Sequence, residues 1–467
     1  MSESRNHEFE IFEGRRLLED PPDSALNVRD GVVCRLPICQ NRRYAPAVQY
    51  LPVTDRSLSQ HVNFIGATGM GKTSAICHLF EGVRASMTDN DKLIAFDPKG
   101  DYKRAFFQPN HDLLLSARTG AGDHWNLLAE LRSPVAQSTE PPPVEELVLS
   151  DIGHSLFDDL MVRSSQPFFP MAAKDLFMGV TWLLAQEGGY SNLELRRFWT
   201  SASLAEIRTV LGKHPRTQAL VSFIPEGADS QSFGVVAQTQ SVVLDVFQEG
   251  FAEAGHISIR SEVRKKGKRC IFLDYPISSS ASLAPGFKVL VDLCIREALA
   301  IGEEESSMGG RPQRRFFFFI DEFGRLPRMR HLEPAITFGR ALGMRFILGM
   351  QNHQQITAAY GPEAPSILGG LNTVIAFRVP DPETRELIKG FGGRNRKKFT
   401  LQTAGIGNPV EPVVEGYTVE DDAILALRPG EAIVFMCPLP AAPGAAPEPP
   451  APFKVYFPLY GERPTTV

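Results

Sequence analysis

Short apolar runs, each followed by a glycine turn or an amphipathic stretch, set the pattern of this chain. His61-Val62-Asn63-Phe64-Ile65 is β-rich, a glycine-rich turn follows it, and Ser74-Ala75-Ile76-Cys77-His78-Leu79-Phe80 has helical spacing. Lys92-Leu93-Ile94-Ala95-Phe96 reads as a second buried strand, ending at Asp97-Pro98-Lys99-Gly100. Strand, helix and strand make one βαβ unit, hence a parallel sheet. Upstream, residues 1–60 form a mixed, β-rich segment with short strands at Val32-Val33 and over 48–53. Pro141-Pro142-Pro143 breaks the pattern. From 141 to 233, Leu, Ala and Phe recur at helical spacing, which predicts an inserted all-α domain.

Strand patterns return with Cys270-Ile271-Phe272-Leu273-Asp274 and Phe316-Phe317-Phe318-Phe319-Ile320. A helix is expected over 332–342, with Gly343 placed to end it. A strand over 346–348, a helix over 354–360 and a strand over 374–377 continue the alternation. A proline/alanine loop over 438–452 leads to an expected edge strand over 453–457.

Composition narrows the class. The 467 residues are 43% hydrophobic and 22% charged, which supplies a core without disulfides or a structural metal and excludes disordered, collagen-like and disulfide-rich chains. Forty-nine basic against 54 acidic residues give a net charge of −5, so any nucleic-acid surface must be local. The cysteines at 34, 39, 77, 270, 294 and 437 are scattered and read as buried thiols in a reducing compartment. The first residues lack the apolar stretch of a signal peptide, and no uninterrupted run of about 18 apolar residues occurs, so the expected location is cytoplasmic.

Gly66-Ala67-Thr68-Gly69-Met70-Gly71-Lys72-Thr73 matches GxxxxGK[ST] between a predicted strand and a predicted helix. Its glycines let backbone N–H groups turn inward around phosphates, and the helix that opens with Lys72, Thr73 and Ser74 adds its positive end. Lys72 is expected to reach the β- and γ-phosphates of ATP, and Thr73 to bind Mg²⁺. The buried run over 316–320 delivers Asp321-Glu322 in a Walker-B pattern. Asp321 would hold Mg²⁺ through water, and Glu322 would activate the attacking water. Lys72 and Asp321 stand 249 positions apart, which leaves room for the inserted domain. This assigns 61–140 and 234–467 as the two parts of a nucleotide-binding domain around the insert. Gln351 closes the next strand, where it can sense the γ-phosphate or the attacking water. Arg340 points away from its own nucleotide and is a candidate arginine finger for a neighbouring copy; a surface salt bridge is the rival reading, and Arg345 the alternative finger. Three basic clusters, Arg264-Lys265-Lys266 with Lys268-Arg269, Arg311 with Arg314-Arg315, and Arg394 with Arg396-Lys397-Lys398, are placed in loops as candidate phosphate contacts or as plain solvated charge.

Asp321-Glu322-Phe323-Gly324-Arg325-Leu326, then Phe338-Gly339-Arg340-Ala341-Leu342-Gly343, Gln351-Asn352-His353-Gln354-Gln355-Ile356 and Tyr360-Gly361 form a familiar order. With His61, the P-loop, Asp97-Pro98-Lys99-Gly100-Asp101 and Trp125-Asn126-Leu127-Leu128, it closely resembles the type IV secretion coupling proteins of the TraG/TraD/TrwB kind. The resemblance covers 61–130 and 316–395. It implies a RecA-like P-loop NTPase with a mainly parallel sheet and an inserted all-α domain, assembled as a homo-hexamer with ATP and Mg²⁺ between subunits. Lys72, Thr73, Asp321 and Glu322 would act in cis, Gln351 would report the γ-phosphate, and Arg340 would act in trans. ATP hydrolysis would drive single- or double-stranded DNA through a central channel, with a relaxase or effector as protein cargo. The family's N-terminal membrane helices have no counterpart here: either the sequence is a trimmed piece of a longer chain, or the protein is a naturally soluble relative that a partner brings to the inner membrane. Three other readings are a low-turnover, nucleotide-gated receptor for a relaxase or effector, a soluble DNA-processing ATPase of a mobile-element or defence system, and a small-molecule kinase, which fits poorly.

Overall fold

The computed structural model describes residues 9–39, 48–134, 143–276, 280–310, 312–399, 412–436 and 450–461. Cys437, Arg311, Pro141, Pro142 and most of the proline/alanine loop lie outside them. Two compact units divide the chain: Met1–Met87 with Phe319–Gly324 and Arg345–Val467, and Thr88–Phe318 with Arg325–Met344.

The strands are β1 (Phe9–Glu13), β2 (Val32–Cys39), β3 (Val48–Thr54), β4 (Val62–Ile65), β5 (Lys92–Phe96), β6 (Leu113–Ser116), β7 (Cys270–Asp274), β8 (Phe316–Ile320), β9 (Met344–Met350), β10 (Thr373–Ala376), β11 (Arg394–Phe399), β12 (Val413–Tyr417), β13 (Glu431–Phe435) and β14 (Phe453–Tyr456). In the first unit their order is β3-β2-β14-β13-β10-β4-β9, with the end of β8 beside β9. β10, β4 and β9 run parallel, and β13, β14, β2 and β3 extend the sheet antiparallel. All four residues of β4 and all seven of β9 are buried, as a parallel sheet covered on both faces requires. β14 therefore lies between β13 and β2, not at an edge as the sequence suggested. Its alternation of buried Phe453 and Val455 with half-exposed Lys454 cannot tell an edge strand from an interior one.

The helix Lys72–Ser86 covers this sheet with Ala75, Ile76, Leu79, Phe80 and Val83. It approaches β2 so closely that a Cβ on Gly82 would sit 2.6 Å from the Cβ of Cys34. Phe80 packs on Phe319, their rings 4.8 Å apart. Burying such a side chain contributes about 1.5–3 kcal/mol. A separate antiparallel sheet, β1-β11-β12, belongs to the same unit. The basic run at 394–398 is thus strand, where the sequence reading had a loop.

In the second unit β5, β7 and β6 lie side by side and parallel, with the start of β8 beside β5. Helices occupy most of the chain between β6 and β7. The longest are Glu146–Arg163, Phe168–Glu187 and Asp229–Val246. Ser203 and Glu206 cap the helix Leu204–Gly212 reciprocally. Helices cross the expected boundary at 233 and run on to Ile259–Arg264. The valines at 235, 236, 242 and 243 hide a helix in composition, yet they fall with Thr239 and Val246 on one buried face.

Phe168–Glu187 is the one described helix with the length and mean hydropathy, 1.2, of a membrane span, and 61% of that window is buried in the protein. Lys174 and Asp175 interrupt it, so the sequence shows no uninterrupted apolar run there. It packs against Glu146–Arg163 and Asp229–Val246, as the central helix of a packed helical core does.

Candidate functional site

The site forms in the first unit, where β4 turns into the helix Lys72–Ser86. Gly69 and Gly71 have φ of 79° and 99°, a left-handed conformation that side chains with a Cβ rarely adopt. Gly66 and Gly71 are also required by space. A Cβ at 66 would lie 2.6 Å from that of Phe377, and one at 71 would lie 3.1 Å from the Gly430 nitrogen. The loop is held from behind: Gly66 N donates to Met350 O (3.1 Å), Ala67 N to Arg378 O (2.9 Å) and Gly430 N to Met70 O (3.0 Å). Thr68 and Gly69 are exposed at its tip, whereas Met70 is buried. Ser74 Oγ accepts from Tyr460 N at 2.9 Å, which ties the C-terminal segment to the helix. Lys72 is buried, and its ammonium donates to the carbonyls of Gly66 and Ala67. It spans the mouth of its own loop.

Asp321 and Glu322 follow β8 directly, and both are buried. Thr73 Oγ1 donates to Asp321 Oδ2 at 2.8 Å, so the hydroxyl and the carboxylate meet. A Cβ at Gly349 of β9 would stand 2.2 Å from the Asp321 carbonyl oxygen, so only glycine lets the two strand ends approach this closely. Gln351 Nε2 donates to Glu322 Oε2 at 3.2 Å, and Gln351 N donates to Gln355 Oε1 at 3.1 Å. Gln355 in turn lies over Gly324, where a Cβ would come within 2.6 Å of it. The structure therefore brings Lys72, Thr73, Asp321, Glu322 and Gln351 together. Thr73 and Asp321 present the hard oxygens that Mg²⁺ prefers, and the inward backbone of the loop suits a polyphosphate.

His61, buried with φ of 57°, immediately precedes β4. Its Nδ1 accepts from Phe346 N at 3.1 Å, which leaves the proton on Nε2 and locks β4 against β9.

The two candidate fingers separate. Arg345 is buried and pairs with Asp55 at 3.0 Å, a structural role that removes it as a finger. Arg340 belongs to the second unit. It lies exposed on the short 3₁₀ turn Gly339–Leu342, after a helix that covers only Leu332–Thr337. Gly343, at φ of 87°, ends the turn as expected. A Cβ at Gly302 of the helix Ser280–Ser307 would lie 2.5 Å from Leu342 O, so that helix backs the turn closely.

The basic clusters are largely neutralised. Arg264 pairs with Glu297 and Glu304, while Lys265 and Arg269 share Glu262. Arg314 is buried and donates to the carbonyls of Asn90, Val263 and Arg264, and Arg315 pairs with Asp91. Arg394, Arg396 and Lys397 of β11 meet Glu415, Glu13 and Glu420.

Residues 46–405 match the family model described as the type IV secretion-system coupling protein DNA-binding domain. The coupling protein TraD of Escherichia coli (strain K12) is 23% identical over 425 residues, 89% of this chain and 53% of TraD. This chain thus spans about half the length of that relative. Among solved structures, the bacterial conjugative coupling protein TrwBdeltaN70, unbound, superposes with a TM-score of 0.73 at 19% identity, over 99% of each chain. TrwB in complex with ADP and Mg²⁺ gives 0.71 at 19% identity, over 100% of this chain and 98% of the other. TrwB with the non-hydrolysable ATP analogue ADPNP also gives 0.71 at 19% identity, over 99% of each. The fold is that of a RecA-like P-loop NTPase with a mostly parallel sheet and a large helical portion.

Proposed function

This chain belongs to the family of type IV secretion-system coupling protein DNA-binding domains, and we propose that it is an ATP-dependent DNA translocase or coupling ATPase of bacterial conjugation or mobilisation. The observation that carries this reading is the joining of the P-loop hydroxyl to the Walker-B carboxylate, Thr73 to Asp321, beside the Glu322–Gln351 pair. TrwB structures bound to ADP with Mg²⁺ and to ADPNP support the choice of cofactor.

Each residue then has a task. Lys72 would bind the β- and γ-phosphates, and Thr73 and Asp321 would hold Mg²⁺. The metal ion and the triphosphate supply the charge clamp and the leaving group. Glu322 accepts a proton from the attacking water, and Gln351 holds that carboxylate in place and responds to the γ-phosphate. Arg340, exposed on its turn, completes the site of a neighbouring copy in a homo-hexamer. The helical stretch between the P-loop and Walker-B parts acts as the inserted domain. DNA is the substrate, and a relaxase or effector is the protein cargo. The chain works on the cytoplasmic side of the inner membrane.

Displacement of a third strand from a DNA triplex by the assembled protein tests this. ATP-dependent displacement, absent with ADPNP, is expected; hydrolysis without displacement on any DNA form would refute translocation.

A further inference from the structure

The motif Asp97-Pro98-Lys99-Gly100-Asp101 opens onto a pocket in the second unit. β5 runs into it at Asp97, β6 ends at Ser116, two residues before Arg118, and β7 ends at Asp274. These three parallel strands thus deliver their carboxyl ends to one place, where α/β sheets hold ligands. The cavity there measures about 280 Å³ and is lined by Lys99, Lys103, Arg104 and Arg118, with Asp274 and Pro98. Lys103 pairs with Asp274 at 2.6 Å, and Ser116 Oγ donates to the same carboxylate oxygen at 3.2 Å, which fixes the floor. Asp97 accepts from Lys103 N at 2.7 Å and anchors the loop. Arg104 lies against Asp101 at 3.0 Å. Lys99 and Arg118 are exposed, and Arg118 forms no ion pair among the described residues.

Four cations face a single carboxylate across the lining, and no aromatic ring is present for a base to stack on. The chemistry selects a phosphate, read without regard to sequence. Arg264, Lys265, Arg269, Arg314, Arg315, Arg394, Arg396 and Lys397 of the three basic clusters carry acidic partners or donate to backbone carbonyls; in this pocket Lys103 and Arg104 are likewise paired, with Asp274 and Asp101, while Arg118 forms no ion pair among the described residues. We propose that this pocket seats a backbone phosphate of the DNA strand. The inference rests on the reading of the chain as a DNA-handling ATPase. A free nucleotide offers the same chemical group, and the test separates the two sources.

Fluorescence anisotropy of labelled oligonucleotides, single-stranded and duplex, with the full chain between about 50 and 200 mM salt reads the interaction directly. For Lys99→Ala with Arg118→Ala, the expected result is an affinity loss of about 10-fold at the low-salt end and a salt slope shallower by about 0.7–0.9 for each phosphate no longer neutralised. Arg118→Lys with Lys99 intact should keep most of the wild-type slope. Should the double variant unfold in a thermal scan, Arg118→Glu alone carries the test. Wild-type binding with an unchanged affinity and slope in the variant would overturn the pocket and leave the DNA reading standing. Absence of DNA binding by the wild type would overturn both. Loss of ADP affinity with DNA affinity intact would assign the pocket to free nucleotide and overturn the proposal.

Discussion

Thr73 Oγ1 and Asp321 Oδ2 stand 2.8 Å apart although 248 positions separate them in the chain. The contact joins the first turn of the P-loop helix to the end of β8, and the whole second unit apart from Arg325–Met344 is threaded between them. A pairing of such sequence separation is costly in loop closure, and the buried strands β4, β9 and β8 are what hold it. Both oxygens are suited to one Mg²⁺, so the contact brings together the two groups proposed to hold it.

Lys72→Ala should abolish measurable nucleotide binding and lower turnover by at least about 100-fold, because it removes the side-chain ammonium held at the loop mouth. Calorimetric titration with ADPNP and steady-state hydrolysis check it. Near-normal turnover would exclude Lys72 from its role.

Glu322→Gln should bind ATP normally and hydrolyse it about 10²–10⁴-fold more slowly, the range for loss of a positioned general base. Gln351→Ala, which removes the donor to Glu322, should slow turnover by a smaller factor with little change in ATP affinity. A rise in KM without a fall in kcat would assign Gln351 to binding instead.

Gly349→Ala should destabilise the first unit by about 1–3 kcal/mol and raise the Mg²⁺ concentration needed for half-maximal activity. The added methyl would stand 2.2 Å from the Asp321 carbonyl oxygen and push the carboxylate away from Thr73. Urea unfolding and a Mg²⁺ titration measure the two effects separately.

Asp97 gives the fold a pH signature. Burial raises its carboxyl from the usual value of 3.8 to about 6, despite hydrogen bonds from the Lys103 and Tyr102 backbones. A raised folded-state pKa means that its share of stability is complete below about pH 4 and is lost as pH climbs through about 6. Relative to Asp97→Asn, the wild type should therefore lose about 3 kcal/mol over that interval, at about 1.4 kcal/mol per pH unit. Urea unfolding of both proteins at several pH values tests this, and parallel pH profiles would contradict it.

How much of this was legible in the chain depends on how local each signal is. The P-loop, Asp321-Glu322 and Gln351 were readable because each follows a strand whose apolar run is unmistakable, Phe316 to Ile320 above all. Gly349 carried no such mark, since a glycine inside a strand shows its purpose only once Asp321 is beside it. β11 was misread because Arg394, Arg396 and Lys397 look like solvated loop charge. Their acidic partners at 13, 415 and 420 are distant or belong to another strand. For the same reason Arg345 and Arg340 looked alike until Asp55 claimed the first.

Arg340 sets the most specific test of assembly. Alone, Arg340→Ala and Lys72→Ala should each be inactive, and mixing them should restore part of the hydrolysis if Arg340 serves a neighbour's site. Failure to complement, in mixtures shown to co-assemble, would confine Arg340 to its own subunit.

The steady-state ATPase rate, with and without single- and double-stranded DNA and alongside Glu322→Gln, tests the central claim most directly. The account predicts strong stimulation by DNA that disappears in the variant. Weak turnover in assembled protein, indifferent to both forms of DNA and to the substitution, would contradict it and point to a nucleotide-gated receptor.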